Sequence, residues 1–191
     1  MEGRGTRTLT GATTAGRDTL RLFFALWPDA ATRAALASRI HSLRAQGGGR
    51  PVPDDKLHLT LLFHGRVRPQ LVPVLRDMAS RISVPPDTLV LDRVDYWRRN
   101  QLVCLEATRC PPALSALVDQ LVQGSRNLSL PIEERPYVPH ITLLRRASRR
   151  VELHDFAPVS WSITEFVLVH SVAGRDAATY DVIDRWQMQR G

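Results

Sequence analysis

Residues 57–65 read Leu57-His58-Leu59-Thr60-Leu61-Leu62-Phe63-His64-Gly65, an apolar run that carries a histidine and a threonine two positions apart. A strand alternates its faces with a period of two, so His58 and Thr60 point to one side while Leu57, Leu59 and Leu61 point to the other. The leucines supply a packing face, and the polar pair is left over for another purpose. Residues 139–145, Pro-His-Ile-Thr-Leu-Leu-Arg, repeat the relation with His140 and Thr142. His-x-Thr-Leu-Leu therefore occurs twice.

The surroundings of the two copies match as well. RLFFALWPD opens with an apolar strand over Leu22–Leu26, and Pro28 is expected in the first turn of a helix carrying Leu36, Ile40 and Leu43 at helical spacing. GGGRPVP breaks that helix and leads to the His58 strand. A helix over about 69–81 follows, and then TLVLDRVDYW and QLVCLEA read as strands around the turn Arg98-Arg99-Asn100. Pro111 and Pro112 introduce a helix with Leu114, Leu117, Val118 and Leu121, expected to stop near Gly124, and a loop delivers the His140 strand. VSWSITEFVLVHSV and ATYDVIDRWQM close the chain as two strands. Strand, proline-led helix, loop and His-x-Thr strand come in the same order twice, which points to a duplicated unit. Two such units related by a pseudo-two-fold can set their His-x-Thr strands across a groove.

The 191 residues suffice for one domain with a proper core. Residues 1–18, rich in Gly, Thr and Arg, are expected to be a disordered leader, and 19–191 a single bilobal domain. No apolar run approaches the roughly 18 residues of a membrane span, so no membrane partner is expected. Cys104 and Cys110 fit neither a zinc nor a redox spacing; both are expected reduced, Cys104 as a small buried hydrophobe. Net charge is +7, and all the 26 basic residues except Lys56 are arginine, a composition suited to phosphate and polyanions.

Facing histidines run acid–base chemistry near neutrality, because imidazole is both acid and base there. Threonines one pleat away can donate hydrogen bonds to non-bridging oxygens. That set suits a phosphoryl centre: one histidine activates the attacking oxygen, the other protonates the leaving oxygen, and Thr60 and Thr142 hold the rest. Arg145 could add a guanidinium, but strict alternation turns it away from His140, so it reaches the groove only through a bulge, a twist or the strand end. His58 and His64 are six apart with no carboxylate at ligand spacing, so neither metal nor cofactor is expected.

HLTLLFHG and PHITLLR, with RLFFALWP, RPYVPHITLLR and the late FVLVHSV and YDVIDRW, resemble the 2H phosphoesterases, specifically the LigT-like RNA 2′,3′-cyclic phosphodiesterases once called 2′-5′ RNA ligases. The resemblance runs over about residues 20–187. It implies a two-lobed α+β fold, duplicated β-α-β units with antiparallel sheets around a central groove. It also implies metal-independent opening of an RNA terminal 2′,3′-cyclic phosphate to a 2′-phosphate, with weak reverse 2′-5′ ligation in some members. By position, His58 and His140 are the catalytic pair, and Thr60, Thr142 and Arg145 the phosphate-binding residues. Phe63 matches an aromatic near the base-binding end. The family-like mechanism makes His140 the base and His58 the acid. The partner is then an RNA with a 2′,3′-cyclic phosphate end or a related nucleotide, handled by a cytoplasmic monomer.

Two positions depart from the pattern. His64 stands where a leucine is usual, and its alternation groups it with His58 and Thr60; it is expected to face solvent at the strand end. Tyr137 replaces a phenylalanine, and its ring could stack on a base or fill the core. Alternative functions remain on the same residues: a phosphodiesterase for small cyclic or 2′-5′-linked nucleotides, or a catalytically silent RNA-binding module.

Overall fold

The computed structural model describes residues 19–132, 135–151, 156–174 and 178–189; the expected leader, residues 1–18, lies outside them. β1 (Leu20–Leu26) runs into α1 (Ala30–Gly47), which Asp29 caps by accepting a hydrogen bond from the Thr32 N–H at 2.7 Å. Pro28 thus sits just before the cap and not in the first turn. β2 (Arg50–Pro51), a 3-10 turn and β3 (Leu59–Val67) follow, then a second 3-10 turn and α2 (Val72–Ser80). The second half comprises β4 (Asp87–Leu91), β5 (Arg93–Trp97), β6 (Leu102–Glu106), α3 (Pro112–Asn127), β7 (His140–Arg145), β8 (Val159–Ile163), β9 (Glu165–Val172) and β10 (Thr179–Gln187).

The large sheet has the order β10-β9-β1-β3-β7-β6-β5, with β2 beside the end of β7, and all its pairings are antiparallel. A separate ribbon pairs β4 with β8. Two apolar runs expected as single strands are therefore each broken. TLVLDRVDYW divides at Asp92, whose carboxylate accepts from the Thr108 N–H at 2.8 Å and from its hydroxyl at 2.5 Å, pinning the chain to the end of β6. VSWSITEFVLVHSV divides at Thr164, whose carbonyl accepts from the Met188 N–H at 2.7 Å. At both points the chain leaves the ribbon for the large sheet.

Each helix crosses to the other half. α1 packs on β7 and β8, and α3 on β3, β4 and α2. Leu36, Ile40 and Leu43 of α1 and Leu114, Leu117 and Leu121 of α3 are buried in the main core, as their spacing predicts. α3 runs past Gly124, which is no stop signal: a Cβ there would lie 2.6 Å from the Met78 side chain, so the missing side chain lets α2 and α3 approach. β1 is covered on both faces, which is why it reads as a continuous apolar run. Leu22, Phe24 and Leu26 join the main core, while Phe23 and Ala25 join Val167 and Val169 in a small cluster on the opposite face, flanked by Trp27 and Tyr180. That second cluster abuts the groove.

Candidate active site

β3 and β7 meet at one register position, Leu59 opposite Ile141, and then splay. Both of these side chains are fully buried, so their neighbours along each strand turn to the opposite face. Antiparallel register sets His58 across from Thr142, and Thr60 across from His140. The four residues are gathered around a single small pocket of about 60 Å³, whose remaining walls are Val52, Lys56 and Arg145.

The continuation of each motif explains the rest of the lining. In β3 the pairing with β1 passes from Ala25–Thr60 to Phe24–Leu62 and skips Leu61; in β7 the pairing with β6 passes from Cys104–Thr142 to Val103–Leu144 and skips Leu143. These are equivalent β-bulges, 82 positions apart. Each puts two consecutive leucines into the core, Leu61 with Leu62 and Leu143 with Leu144, and inverts the alternation after them. Phe63 and Arg145, also 82 positions apart, thereby return to the groove face. Both line a larger cleft of about 610 Å³ together with Thr60 and His140. The bulge that Arg145 required is present.

The same phase change overturns the expectation for His64. It occupies a second bulge in β3, between the Phe23–Phe63 and Leu22–Gly65 pairs, and turns inward to an exposure of 3%, edge-on to Phe24 with ring centroids 5.8 Å apart. Burial holds its pKa down to about 4 against the opposing pull of the Pro131 carbonyl. Neither ring nitrogen makes a hydrogen bond of good geometry. Alternation from His58 failed because the Leu61 bulge intervenes and inverts the faces, and His64 is itself the extra residue of the next bulge. Tyr137 lies on the wall of the large cleft and also packs against the main core; its hydroxyl is buried without a hydrogen-bond partner, and burial raises its pKa well above the usual value.

The two histidines are oriented in the same way. His58 Nδ1 lies 2.8 Å from the Lys56 carbonyl, and His140 Nδ1 2.8 Å from the Val138 carbonyl. An Nδ1–H donated to a carbonyl leaves Nε2 as the nitrogen that carries the lone pair in both neutral rings. Their surroundings differ. His58 is stacked against Trp27 at 5.2 Å, with Phe23 and Tyr180 each 5.1 Å away. Burial drives its pKa to about 4, opposed by the Lys56 carbonyl and helped by the charges of Arg145 and His140. His140 touches one aromatic ring among the described residues, Trp97 at 4.4 Å. Burial lowers its pKa too, but the Val138 carbonyl and the Glu106 carboxylate pull it back up, while Arg135 lowers it.

Glu106 is itself held firmly. It is 1% exposed, pairs with Arg93, and accepts a 2.7 Å hydrogen bond from the Trp97 indole N–H. Thr142 has Cys104 at its back, with sulfur and hydroxyl oxygen 3.8 Å apart; that thiol is free, buried and pushed up to about 12, as expected of a packing cysteine. Lys56 was missed by the sequence reading, although it is the chain's single lysine and lies two residues before His58; its Nζ donates to the Ala178 carbonyl at 2.9 Å on the rim of the small pocket. Trp27, Trp97 and Tyr180 were also missed. Nothing in their local sequence says that they converge on the histidines from three separate strands or strand ends. Among the described residues, no three His, Cys, Asp or Glu side chains stand together as a metal site.

The chain is similar to known proteins over most of its length. A protein of Escherichia coli K12 named RNA 2′,3′-cyclic phosphodiesterase is 35% identical over 170 residues, covering 88% of this chain and 96% of its own length. One of the same name from Thermus thermophilus is 30% identical over 182 residues, covering 89% and 91%. The crystal structure of E. coli LigT complexed with 3′-AMP superposes with a TM-score of 0.80 at 34% identity, over 91% of this chain and all of that one. The family model described as the 2′-5′ RNA ligase superfamily matches residues 32–175, both His-x-Thr strands included, and the chain belongs to that superfamily.

Proposed function

We propose that this protein hydrolyses the terminal 2′,3′-cyclic phosphate of RNA to a 2′-phosphate, with His58 and His140 as the proton-transfer pair. The observation that carries the reading is the small pocket in which both histidines, both threonines, Arg145 and Lys56 surround a space fit for one phosphoryl group. The names of the relatives and the nucleotide held by LigT support it.

In the proposed reaction a water, deprotonated by one Nε2, attacks phosphorus; the P–O3′ bond breaks and the 3′-oxygen takes a proton from the other Nε2. The 2′-oxygen stays on phosphorus, giving a 2′-phosphomonoester and a 3′-hydroxyl. Thr60 and Thr142 donate to the non-bridging oxygens, and Arg145 and Lys56 balance the charge that gathers there. An RNA 5′-hydroxyl in place of water gives 2′-5′ ligation by cleavage of the same bond. The surroundings favour the reverse of the expected polarity: burial lowers the proton affinity of both rings, but Glu106 pulls that of His140 back up, whereas the charge of Arg145 lowers that of His58 further. His140 is then the acid and His58 the base. Action as a cytoplasmic monomer goes with this reading, and no helix among the described residues is long and apolar enough to cross a membrane.

An RNA oligomer ending in a 2′,3′-cyclic phosphate, incubated in EDTA, is expected to yield a 2′-phosphate end. His58→Ala and His140→Ala should each lose about 10²-fold or more. Unaltered substrate, or turnover indifferent to both substitutions, overturns the activity. Polarity is read with a substrate whose bridging 3′-oxygen is sulfur, a leaving group that needs no proton. His140→Ala should recover most of its loss on that substrate and His58→Ala little; the opposite pattern restores the first assignment.

A further inference from the structure

We propose that the turn between β5 and β6 binds the phosphodiester on the 5′ side of the terminal nucleoside, so that the site takes the end of an RNA strand in preference to a mononucleotide. The inference rests on the phosphoryl-pocket reading and names its substrate class.

Trp97 closes β5, and its ring stands 4.4 Å from His140 while its N–H is fixed on Glu106. It is a rigid wall one step from the reacting phosphorus. A depression of about 520 Å³ opens beside the large cleft and shares Trp97, Asn100 and Arg135 with it; Arg98 and Arg99 complete the lining. The two hollows are thus contiguous, and no carboxylate among the described residues lines either of them. The reversal is tight, with the Asn100 N–H donating to the Trp97 carbonyl at 3.1 Å and Gln101 at φ 54°, and it leaves Arg98 and Arg99 exposed. Arg135 extends the cationic edge, its guanidinium 5.8 Å from the Trp97 ring centre.

Single-stranded nucleic acids are held by this pairing of an aromatic wall with guanidinium groups that follow the backbone. A 2′,3′-cyclic phosphate lies at the 3′ end of a strand, so the chain has only its 5′ direction in which to leave the pocket. A nucleoside 2′,3′-cyclic phosphate fills the pocket but has no phosphodiester to offer to Arg98 and Arg99.

The test compares kcat/KM of the wild type and the Arg98→Ala/Arg99→Ala variant on a nucleoside 2′,3′-cyclic phosphate and on a short RNA with the same end. It is run from about 50 to 200 mM salt. The variant should lose about tenfold or more on RNA, chiefly through KM, and less than about twofold on the mononucleotide; its salt slope on RNA should become shallower by about one to two. Equal losses on the two substrates, or no loss on RNA, overturn the proposal. If the wild type turns over neither substrate, the phosphodiesterase reading fails by itself. Fluorescence polarisation with a labelled RNA ending in a 3′-phosphate then decides the subsite: weaker binding by the variant upholds it, and equal binding removes it.

Discussion

His58 and His64 lie six residues apart on one strand and meet opposite fates. His58 is anchored through Nδ1 and keeps Nε2 for the groove, whereas His64 is sealed against Phe24 with two nitrogens lacking well-formed hydrogen bonds. The second arrangement is costly, since a buried polar group without a good partner destabilises by about 1–3 kcal/mol. It also couples stability to pH. The folded pKa of about 4 lies below the ordinary 6.5, so between those values the unfolded chain binds a proton that the folded one refuses. This contribution is complete above pH 6.5 and is lost as pH falls toward 4, roughly 3 kcal/mol in all. His64→Leu should raise stability at pH 7 by about 1–3 kcal/mol and flatten its acid decline, with kcat/KM within about twofold of wild type. Urea unfolding at pH 4.5–7 beside a kinetic assay checks it; a large loss of turnover would place His64 in the reaction after all.

Among the elements, the end of β7 has the most to hold. Arg145 is brought to the groove by the Leu143 bulge, and Arg50 of β2 pairs with it from the other side. Gly49 sits directly behind, at φ 87°, where a Cβ would come within 2.7 Å of the Arg145 carbonyl. No L side chain takes that position without moving β7. Gly49→Ala should destabilise by about 1–3 kcal/mol and, by displacing Arg145, lower kcat/KM about ten- to hundredfold. Gly48→Ala is the matched control: its φ of 65° is also strained, but its Cβ would meet the Ser148 hydroxyl at 3.3 Å, so it should lose stability with much less activity. Equal kinetic losses in the two variants would remove the link from Gly49 to Arg145.

For the molecule as a whole, each half supplies one histidine, and α1 packs under the His140 strand while α3 packs under the His58 strand. The site therefore exists only when the halves are joined, and its pH response belongs to the pair. With His58 neutral above about 4 and His140 protonated below a pKa that lies under 6.5, the competent free enzyme is most populated between those values. kcat/KM should trace a bell with its maximum on the acidic side of neutrality, falling toward higher pH as His140 loses its proton and toward lower pH as His58 gains one. A maximum above about pH 7.5 would contradict these environments. Glu106→Gln removes the carboxylate that favours protonated His140 and should move the alkaline limb to lower pH.

Much of this was legible in the one-dimensional chain. The doubled His-x-Thr pairs, the helix that opens at Pro112, the packing leucines and the free, buried Cys104 all follow from local periodicity and residue chemistry, which act over a few neighbouring positions. What only the tertiary structure decided lies where the period breaks: the Leu61 and Leu143 bulges that return Phe63 and Arg145 to the groove, the inward turn of His64, and the breaks at Asp92 and Thr164. So too with Trp27, Tyr180 and the Trp97–Glu106 pair, which meet the histidines from segments distant in sequence. A bulge is set by how a strand pairs with its neighbour, and a histidine's proton affinity by which groups surround it in space. Neither is a property of the residues adjacent in sequence.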